Sequence, residues 1–215
     1  IFRNRFDDAS DFTFAFVGNF ENESIKPLIK KYIGSLPSLN RNENWKDFNI
    51  DPPKGIVEKK VAKGLEPKSR VNITFASDFN WDYQERYELL AMTDVLRIKL
   101  REVLREDKGG TYGVGINANP QKYPDEEYSI SISFGCNPER VDELVEAVFN
   151  QIDSLKFEPV DQSYLNKVKE TQRREWEVNL KEKNYWLRII QYYYFYNLNT
   201  NEFSKYQERI EGLSS

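Results

Sequence analysis

Four short stretches of the chain alternate between apolar and polar residues with a period of two, the pattern of strands that bury one face. These stretches are Phe12–Phe16, Val71–Phe75, Tyr112–Ile116 and Tyr128–Phe134. The last is the clearest, because its aromatic and isoleucine positions alternate with Ser129, Ser131 and Ser133. The pattern predicts a sheet with one apolar face and one face of small polar side chains.

Apolar residues spaced three and four apart predict amphipathic helices between these strands. The expected helices are Ile25–Ile33, Asp82–Arg105, Val141–Val148 and a second long helix that begins at about Gln162 and continues into the aromatic stretch Tyr185–Tyr196. The longest pattern opens with Asp82 and Glu85, which have the spacing of a capping box. We therefore expect a central helix that starts at this cap.

Glycine and proline mark the connections. Gly109 and Gly110 are expected to end the central helix, since glycine readily adopts the left-handed cap conformation. The polar stretch Ser38–Lys54 is typical of a connection, and the return over Pro120–Pro124 predicts antiparallel pairing of the strands on either side. The order of elements predicts an α+β fold, a mostly antiparallel sheet with helices packed on one face, and a single domain covering residues 1–215.

Composition limits the classes of protein. The 215 residues are 39% hydrophobic and 31% charged, which predicts a folded globule. The net charge of −4 is dispersed along the chain, so nucleic acid is not an expected partner, and no apolar run is long enough to predict a membrane span. Cys136 is the only cysteine, which forbids an internal disulfide and leaves the cellular compartment open.

The segment from Arg105 to Gly113 carries the candidate chemistry, because it separates an arginine and a tyrosine by a glycine-made break in structure. Taken singly, each has a structural explanation: Arg105 ends a helix with Glu102 one turn back, and Tyr112 shares a strand face with apolar neighbours. Together, a guanidinium and a phenol are donors suited to a peptide carbonyl or to the oxyanion formed when water attacks it.

The chain contains no histidine. This excludes the histidine-based zinc motifs, the base of a serine triad and a cysteine–histidine dyad. If the Arg105 and Tyr112 pair belongs to a hydrolase, another segment has to supply the activated water.

Two motifs carry a resemblance to a known family. The run Leu104–Val114 resembles the leucine-arginine-glutamate to tyrosine motif of the insulinase, pitrilysin and mitochondrial-processing-peptidase family of zinc metallopeptidases. Upstream, Phe16–Phe20 followed by Ile25–Pro37 is similar to another signature of that family, a strand, a glycine turn and a helix that ends at leucine-proline. With the order of strands, the resemblance spans roughly Phe12 to Ile190.

The resemblance implies a specific role for this chain. In that family two homologous halves close around a peptide, and the second half lacks metal ligands but reaches the substrate with an arginine and a tyrosine. Arg105 and Tyr112 match this pair by type and spacing. We therefore expect a fragment of the catalytically silent C-terminal half, inactive alone, whose partners are a peptide or protein substrate and the zinc-binding half or a partner subunit.

Further expectations follow from the same resemblance. Zinc would be the cofactor of the full-length enzyme, bound by the N-terminal half that this chain lacks. In a bacterium, the periplasm or cell envelope is the expected compartment. The serine-rich sheet face either lines the enclosed chamber or is ordinary solvated sheet.

Alternatives remain open at this point. The family also contains subunits that lost the zinc site and serve as structural or regulatory partners, and the tyrosines and tryptophans alone suggest a carbohydrate-binding module. Cys136 is interpreted as a small buried apolar residue, and Glu170, Glu175 and Glu177 as salt-bridge partners. The glycines of 109–115 follow a helix and enter a strand, the reverse of the order in a phosphate-binding loop.

Overall fold

The computed structural model describes residues 2, 6–41, 43–44 and 46–215. The chain divides into two compact units. One comprises Ile1–Lys46 with Arg174–Ser204, and the other comprises Asp47–Arg173 with Lys205–Ser215. The organisation of residues 1–215 as one domain stays a prediction.

The first unit contains the expected helix α1 (Asn22–Tyr32) but not the strand expected before it. Phe12–Phe16 is not a strand, so that prediction is wrong. A strand is held by backbone hydrogen bonds to a neighbour, and within the described residues this segment has no ladder partner. Its rings are accordingly open to solvent, with Phe12, Phe14 and Phe16 36%, 41% and 45% exposed.

A buried carboxylate fastens the start of the first unit to the chain that follows α1. The side chain of Asp8 accepts hydrogen bonds from the Ser10 hydroxyl at 2.5 Å, the Leu39 amide at 3.0 Å and the Arg41 amide at 3.1 Å. These donors, the Ser10 hydroxyl first, hold the pKa of Asp8 well below its usual range.

The sheet lies in the second unit and is wholly antiparallel. Its strands are β1 (Ser69–Asp78), β2 (Val114–Gln121) and β3 (Glu127–Cys136), in the order β1-β3-β2. The register aligns Ile73, Ile132 and Ile116 across all three strands. Three of the predicted strands are therefore confirmed, although β2 begins at Val114 rather than at Tyr112.

Helices cover the apolar face of this sheet. Helix α2 (Tyr83–Arg101) begins at Asp82, whose side chain accepts from the amides of Gln84 and Glu85 as the capping pattern predicts. Helix α3 (Val141–Phe157) packs beside it. The core consists of Leu96, Leu100, Leu104, Ile116, Ile130, Ile132, Phe134, Leu144, Ala147 and Val148. The predicted α+β fold with helices on one sheet face is confirmed.

The predicted second long helix is two helices. Helix α4 (Gln162–Asn179) ends before helix α5 (Lys183–Phe195), and α6 (Asn201–Ser204) and α7 (Tyr206–Gly212) follow. The Trp186 indole N–H donates to the Leu180 carbonyl at 2.9 Å, which takes up a helix-end acceptor at the break. Across the described residues, none of the helices combines the length and the apolar character that crossing a membrane requires.

The aromatic stretch forms a cluster of rings around Phe203 in the first unit. The ring centroids of Trp176, Trp186 and Tyr193 lie 4.6, 5.2 and 6.3 Å from that of Phe203. Tyr194 and Phe195 point away and are 67% and 66% exposed. The cluster explains why so many aromatic residues occur in one helix: part of them forms a core for this unit.

Candidate functional site

Arg105 lies on a π-helical turn, Glu102–Asp107, that continues α2. The wider turn is visible in the hydrogen bond from the Lys108 amide to the Val103 carbonyl, five residues back, at 3.0 Å. Leu104 points into the core and is fully buried, whereas the neighbouring Arg105 is exposed. The apolar stripe of the helix thus continues inward while the guanidinium faces solvent.

Two glycines make the turn after this segment possible. Gly109 has a φ of 56°, in the left-handed region that favours glycine. Gly110 lies against α3 so closely that a Cβ there would come 2.6 Å from Leu144 Cδ2. The predicted role of this pair in ending the helix is confirmed, and Gly110 adds a close approach to the core.

Tyr112 stands fully in solvent, with a relative exposure of 102%. The adjoining turn is closed by the Thr111 hydroxyl, which donates to the Gly113 carbonyl at 3.0 Å and accepts from the Gly113 amide at 3.3 Å. The packed ring on a strand face, considered as the structural explanation of Tyr112, is not what the structure shows. Arg105 and Tyr112 instead lie on one exposed connection between α2 and β2.

Glu102 is not the partner of Arg105, because two residues of α4 engage it. The Tyr164 hydroxyl donates to Glu102 Oε2 at 2.6 Å, and Lys167 Nζ lies 3.1 Å from Oε1. The Tyr164 hydrogen bond is the main cause that lowers the pKa of Glu102, and it raises the pKa of Tyr164 to about 12. In the part of the chain that the structure describes, the side chains of Arg105 and Tyr112 have no hydrogen-bond or ion-pair partner.

The far end of the π-helical turn is fastened to α3. Lys108 Nζ and Arg140 Nε each lie 3.0 Å from a carboxylate oxygen of Glu143, and Arg140 Nη1 donates to the Lys108 carbonyl at 3.1 Å. These cations, Arg140 first, lower the pKa of Glu143 to about 2. The segment that carries Arg105 is therefore held at both ends.

These anchoring residues were missed by sequence reasoning. Tyr164 contacts Glu102 across 62 positions and Lys108 contacts Glu143 across 35, so no local spacing indicates either pair. The available signal was indirect: a tyrosine and a lysine lie three residues apart in the first two turns of α4, and both contact the helical segment that carries the motif.

The other candidates behave as ordinary structural residues. Cys136 is half-buried, and desolvation raises the pKa of its thiol, which is the opposite of activation. Glu170 pairs with Arg173 at 3.5 Å, as the salt-bridge interpretation expects. The serine face of the sheet is small and polar, with Thr74 Oγ1 3.4 Å from Ser131 Oγ.

Fold and site together define a class of protein: an α+β domain that presents two hydrogen-bond donors on an exposed connection. Over the described residues, no group of three or more His, Cys, Asp or Glu side chains is arranged to hold a metal ion. Residues 2–172 match the family described as the peptidase M16 inactive domain. The chain belongs to this family, and the resemblance to insulinase-type zinc metallopeptidases is confirmed.

Relatives of the chain carry protease names. The probable zinc protease PqqL of Haemophilus influenzae is 28% identical over 189 residues, which cover 83% of this chain and 20% of that protein. The zinc protease PQQL-like of Arabidopsis thaliana is 28% identical over 207 residues, which cover 89% of this chain and 22% of that protein. The chain thus spans about a fifth of the length of these relatives.

A solved structure supports the fold independently. The crystal structure of the periplasmic protease PqqL from Escherichia coli matches with a TM-score of 0.76 at 18% identity, covering 92% of this chain and 22% of that one. At this identity the likeness establishes the fold alone.

Proposed function

We propose that the chain serves as the substrate-binding, transition-state-stabilising C-terminal domain of a zinc-dependent metalloendopeptidase. The observation that carries the proposal is the exposure of two donors: Arg105 lies on a π-helical turn whose two ends are fastened to neighbouring helices, and Tyr112 lies on the connection that follows it. A structural arginine would be expected to pair with Glu102, and a structural tyrosine to pack its ring. Both residues instead present their donors outward.

The chemistry of the pair suits a peptide bond. A guanidinium offers several N–H donors in a fixed fork, and a phenol offers one O–H donor. Both can bind the carbonyl oxygen of a bound peptide and bind it more strongly when it becomes an oxyanion. The chain contributes these contacts and supplies no histidine as a base.

Zinc, which the names of the relatives imply, does not fit the residues of this chain. The sequence has no histidine, and the described residues contain no carboxylate or thiolate cluster suited to a metal. The metal would be bound outside residues 1–215, by another part of the same polypeptide or by a partner subunit. By the same reasoning the chain alone is proposed to be inactive.

The substrate and the compartment are proposed from the same relatives. Peptides or proteins are the proposed substrates, since the relatives are named as proteases. The periplasm is the proposed compartment if the source is bacterial, because the Escherichia coli relative is described as periplasmic.

The decisive test replaces the two donors in the full-length enzyme. Arg105→Ala and Tyr112→Phe should each lower kcat/KM for a peptide by about 10²- to 10³-fold, the usual cost of removing one oxyanion donor. Zinc content should be unchanged, because the metal is proposed to bind outside residues 1–215.

Matched controls are available in the same chain. Arg101→Ala removes an exposed arginine one turn earlier, and Tyr194→Phe removes the hydroxyl of an exposed tyrosine on α5. Both controls should retain wild-type turnover. If Arg105→Ala and Tyr112→Phe also keep full turnover with zinc bound, the proposal is wrong, and a non-catalytic structural or regulatory subunit becomes the better interpretation.

A further inference from the structure

The two outer edges of the sheet differ in how their backbone groups are satisfied. On β2, the Ile116 carbonyl accepts from Arg97 Nη2 at 3.0 Å and the Pro120 carbonyl accepts from Trp81 Nε1 at 3.4 Å. Proline has no N–H to offer a further strand. The β2 edge is therefore partly closed by Arg97 of α2, by Trp81 just before α2 and by its own Pro120.

The edge of β1 has no such protection. The Phe79 amide donates to the Glu126 carbonyl at 2.9 Å just beyond the ladder, so the odd-numbered residues of β1 bond to β3. The backbone groups of the even-numbered residues point away from the sheet: Arg70, Asn72, Thr74, Ala76 and Asp78. No backbone N–H or C=O of these residues has a hydrogen-bond partner in the described part of the chain.

Side chains beside this edge show what would cover it. On the core side Phe75 is only half-buried, and Phe149 beside it is 41% exposed, with the ring centroids 6.1 Å apart. On the opposite face Asn72 and Thr74 lie in register with Ser133 and Ser131. A strand that alternates apolar and small polar residues would cover the phenylalanines and extend the polar rows.

We propose that in the full-length polypeptide a strand from outside residues 1–215 pairs with the outer edge of β1. The inference rests on the proposed function only in placing this chain within a longer protein. Relatives are about five times as long as the matched region, so most of such a polypeptide is available to supply the strand. The ten-residue edge carries charged residues only near its ends, Arg70 and Asp78, so its middle is open to pairing with another strand unless it is covered.

A permanent strand fits this edge better than a transient peptide. Substrate that binds and leaves would expose both the unpaired backbone and the ring of Phe149 between turnovers. A strand of the same polypeptide keeps both covered at all times, because its effective concentration does not depend on substrate.

Hydrogen exchange in the full-length protein tests the inference without any need for peptidase activity. The amides of Asn72, Thr74 and Ala76 should exchange about 100-fold or more slowly than open amides, without added peptide and at every protein concentration. The amide of Ile73, which bonds to β3, is the internal reference for a protected amide.

Three outcomes would overturn the inference. Exchange of Asn72, Thr74 and Ala76 at the open rate would show that the edge is free. Protection that appears only with added peptide would assign the edge to substrate, and protection that grows with protein concentration would assign it to a second copy. Failure of the Arg105 and Tyr112 test would leave this measurement unaffected.

A pair of variants adds a second readout. Ala76→Pro removes one outward N–H without removing a bond to β3, whereas Ala76→Val keeps that N–H. In the full-length protein Ala76→Pro should lower Tm by about 2–4 °C and speed exchange at Thr74, and Ala76→Val should do neither. Equal behaviour of the two variants would contradict the inference.

Discussion

At the scale of single residues, the availability of Arg105 depends on how Glu102 is occupied. Glu102 lies one turn before Arg105 and would be a natural ion-pair partner for it. Tyr164 and Lys167 hold that carboxylate at 2.6 and 3.1 Å instead. If Arg105 binds substrate as proposed, Tyr164 would be a positioning residue that acts on this binding through Glu102.

Replacing Tyr164 with phenylalanine should release Glu102 toward Arg105. Because exposed ion pairs are worth up to about 1 kcal/mol, Tyr164→Phe in the full-length enzyme should lower kcat/KM by about two- to five-fold. Adding Glu102→Gln removes the competing charge, so the double variant should recover activity. A double variant that is as impaired as Tyr164→Phe would indicate a packing role instead.

Local patterns predicted some features of these residues and not others. The Asp82 cap and the alternation of Ser129, Ser131 and Ser133 depend on neighbours in sequence, and both were predicted. The exposure of Tyr112 was missed because the apolar spacing through Ile116 continues across Gly113, although β2 begins only at Val114. The pairing of Glu102 was missed because its partner lies 62 residues away.

At the scale of elements, the π-helical turn and its glycines set the direction of the connection. Gly110→Ala would place a Cβ 2.6 Å from Leu144 Cδ2. Since overpacking a core usually costs about 1–3 kcal/mol, the free energy of unfolding should fall by that amount. Gly113→Ala is the matched control, because no atom lies within 4 Å of its Cβ. Urea unfolding that gives equal losses for both would contradict this account.

The ion pairs between this turn and α3 give a pH dependence. The pKa of Glu143 falls from 4.5 to about 2 in the folded chain, so its contribution is complete above pH 4.5 and is lost as pH falls toward 2. Glu143→Gln should therefore have a lower Tm than wild type at pH 7, and the difference should shrink between pH 4.5 and 2. Asp142→Asn, which removes the exposed carboxylate beside Glu143 on α3, is the matched control.

The sequence patterns misplaced the elements whose boundaries depend on residues far away in the chain. Phe12–Phe16 has the alternation of a strand, yet alternation reports a buried face and does not supply a hydrogen-bonded neighbour. The periodicity after Gln162 continues through the break at Leu180, where the Trp186 indole satisfies the Leu180 carbonyl. Both errors arise from contacts that a local pattern does not contain.

At the scale of the whole molecule, three features lack what would complete them within the described residues. The rings of Phe12, Phe14 and Phe16 have no sheet to cover within the described residues, and the β1 edge has no neighbouring strand. Arg105 and Tyr112 likewise offer donors but no base. A longer polypeptide would account for all three features, since about four-fifths of the length of the relatives lies outside the region that matches this chain.

Complementation tests this division of labour. Chain 1–215 alone should bind no zinc and hydrolyse no peptide. The remainder of the polypeptide alone should lose more activity than the about 10²- to 10³-fold expected for removing one donor, because it lacks both. Mixing the two parts should restore zinc-dependent turnover, and the Arg105→Ala chain should fail to restore it while the Arg101→Ala chain succeeds. Zinc-dependent hydrolysis by chain 1–215 alone would overturn the assignment, since it would place a metal site where the described residues offer no suitable ligand group.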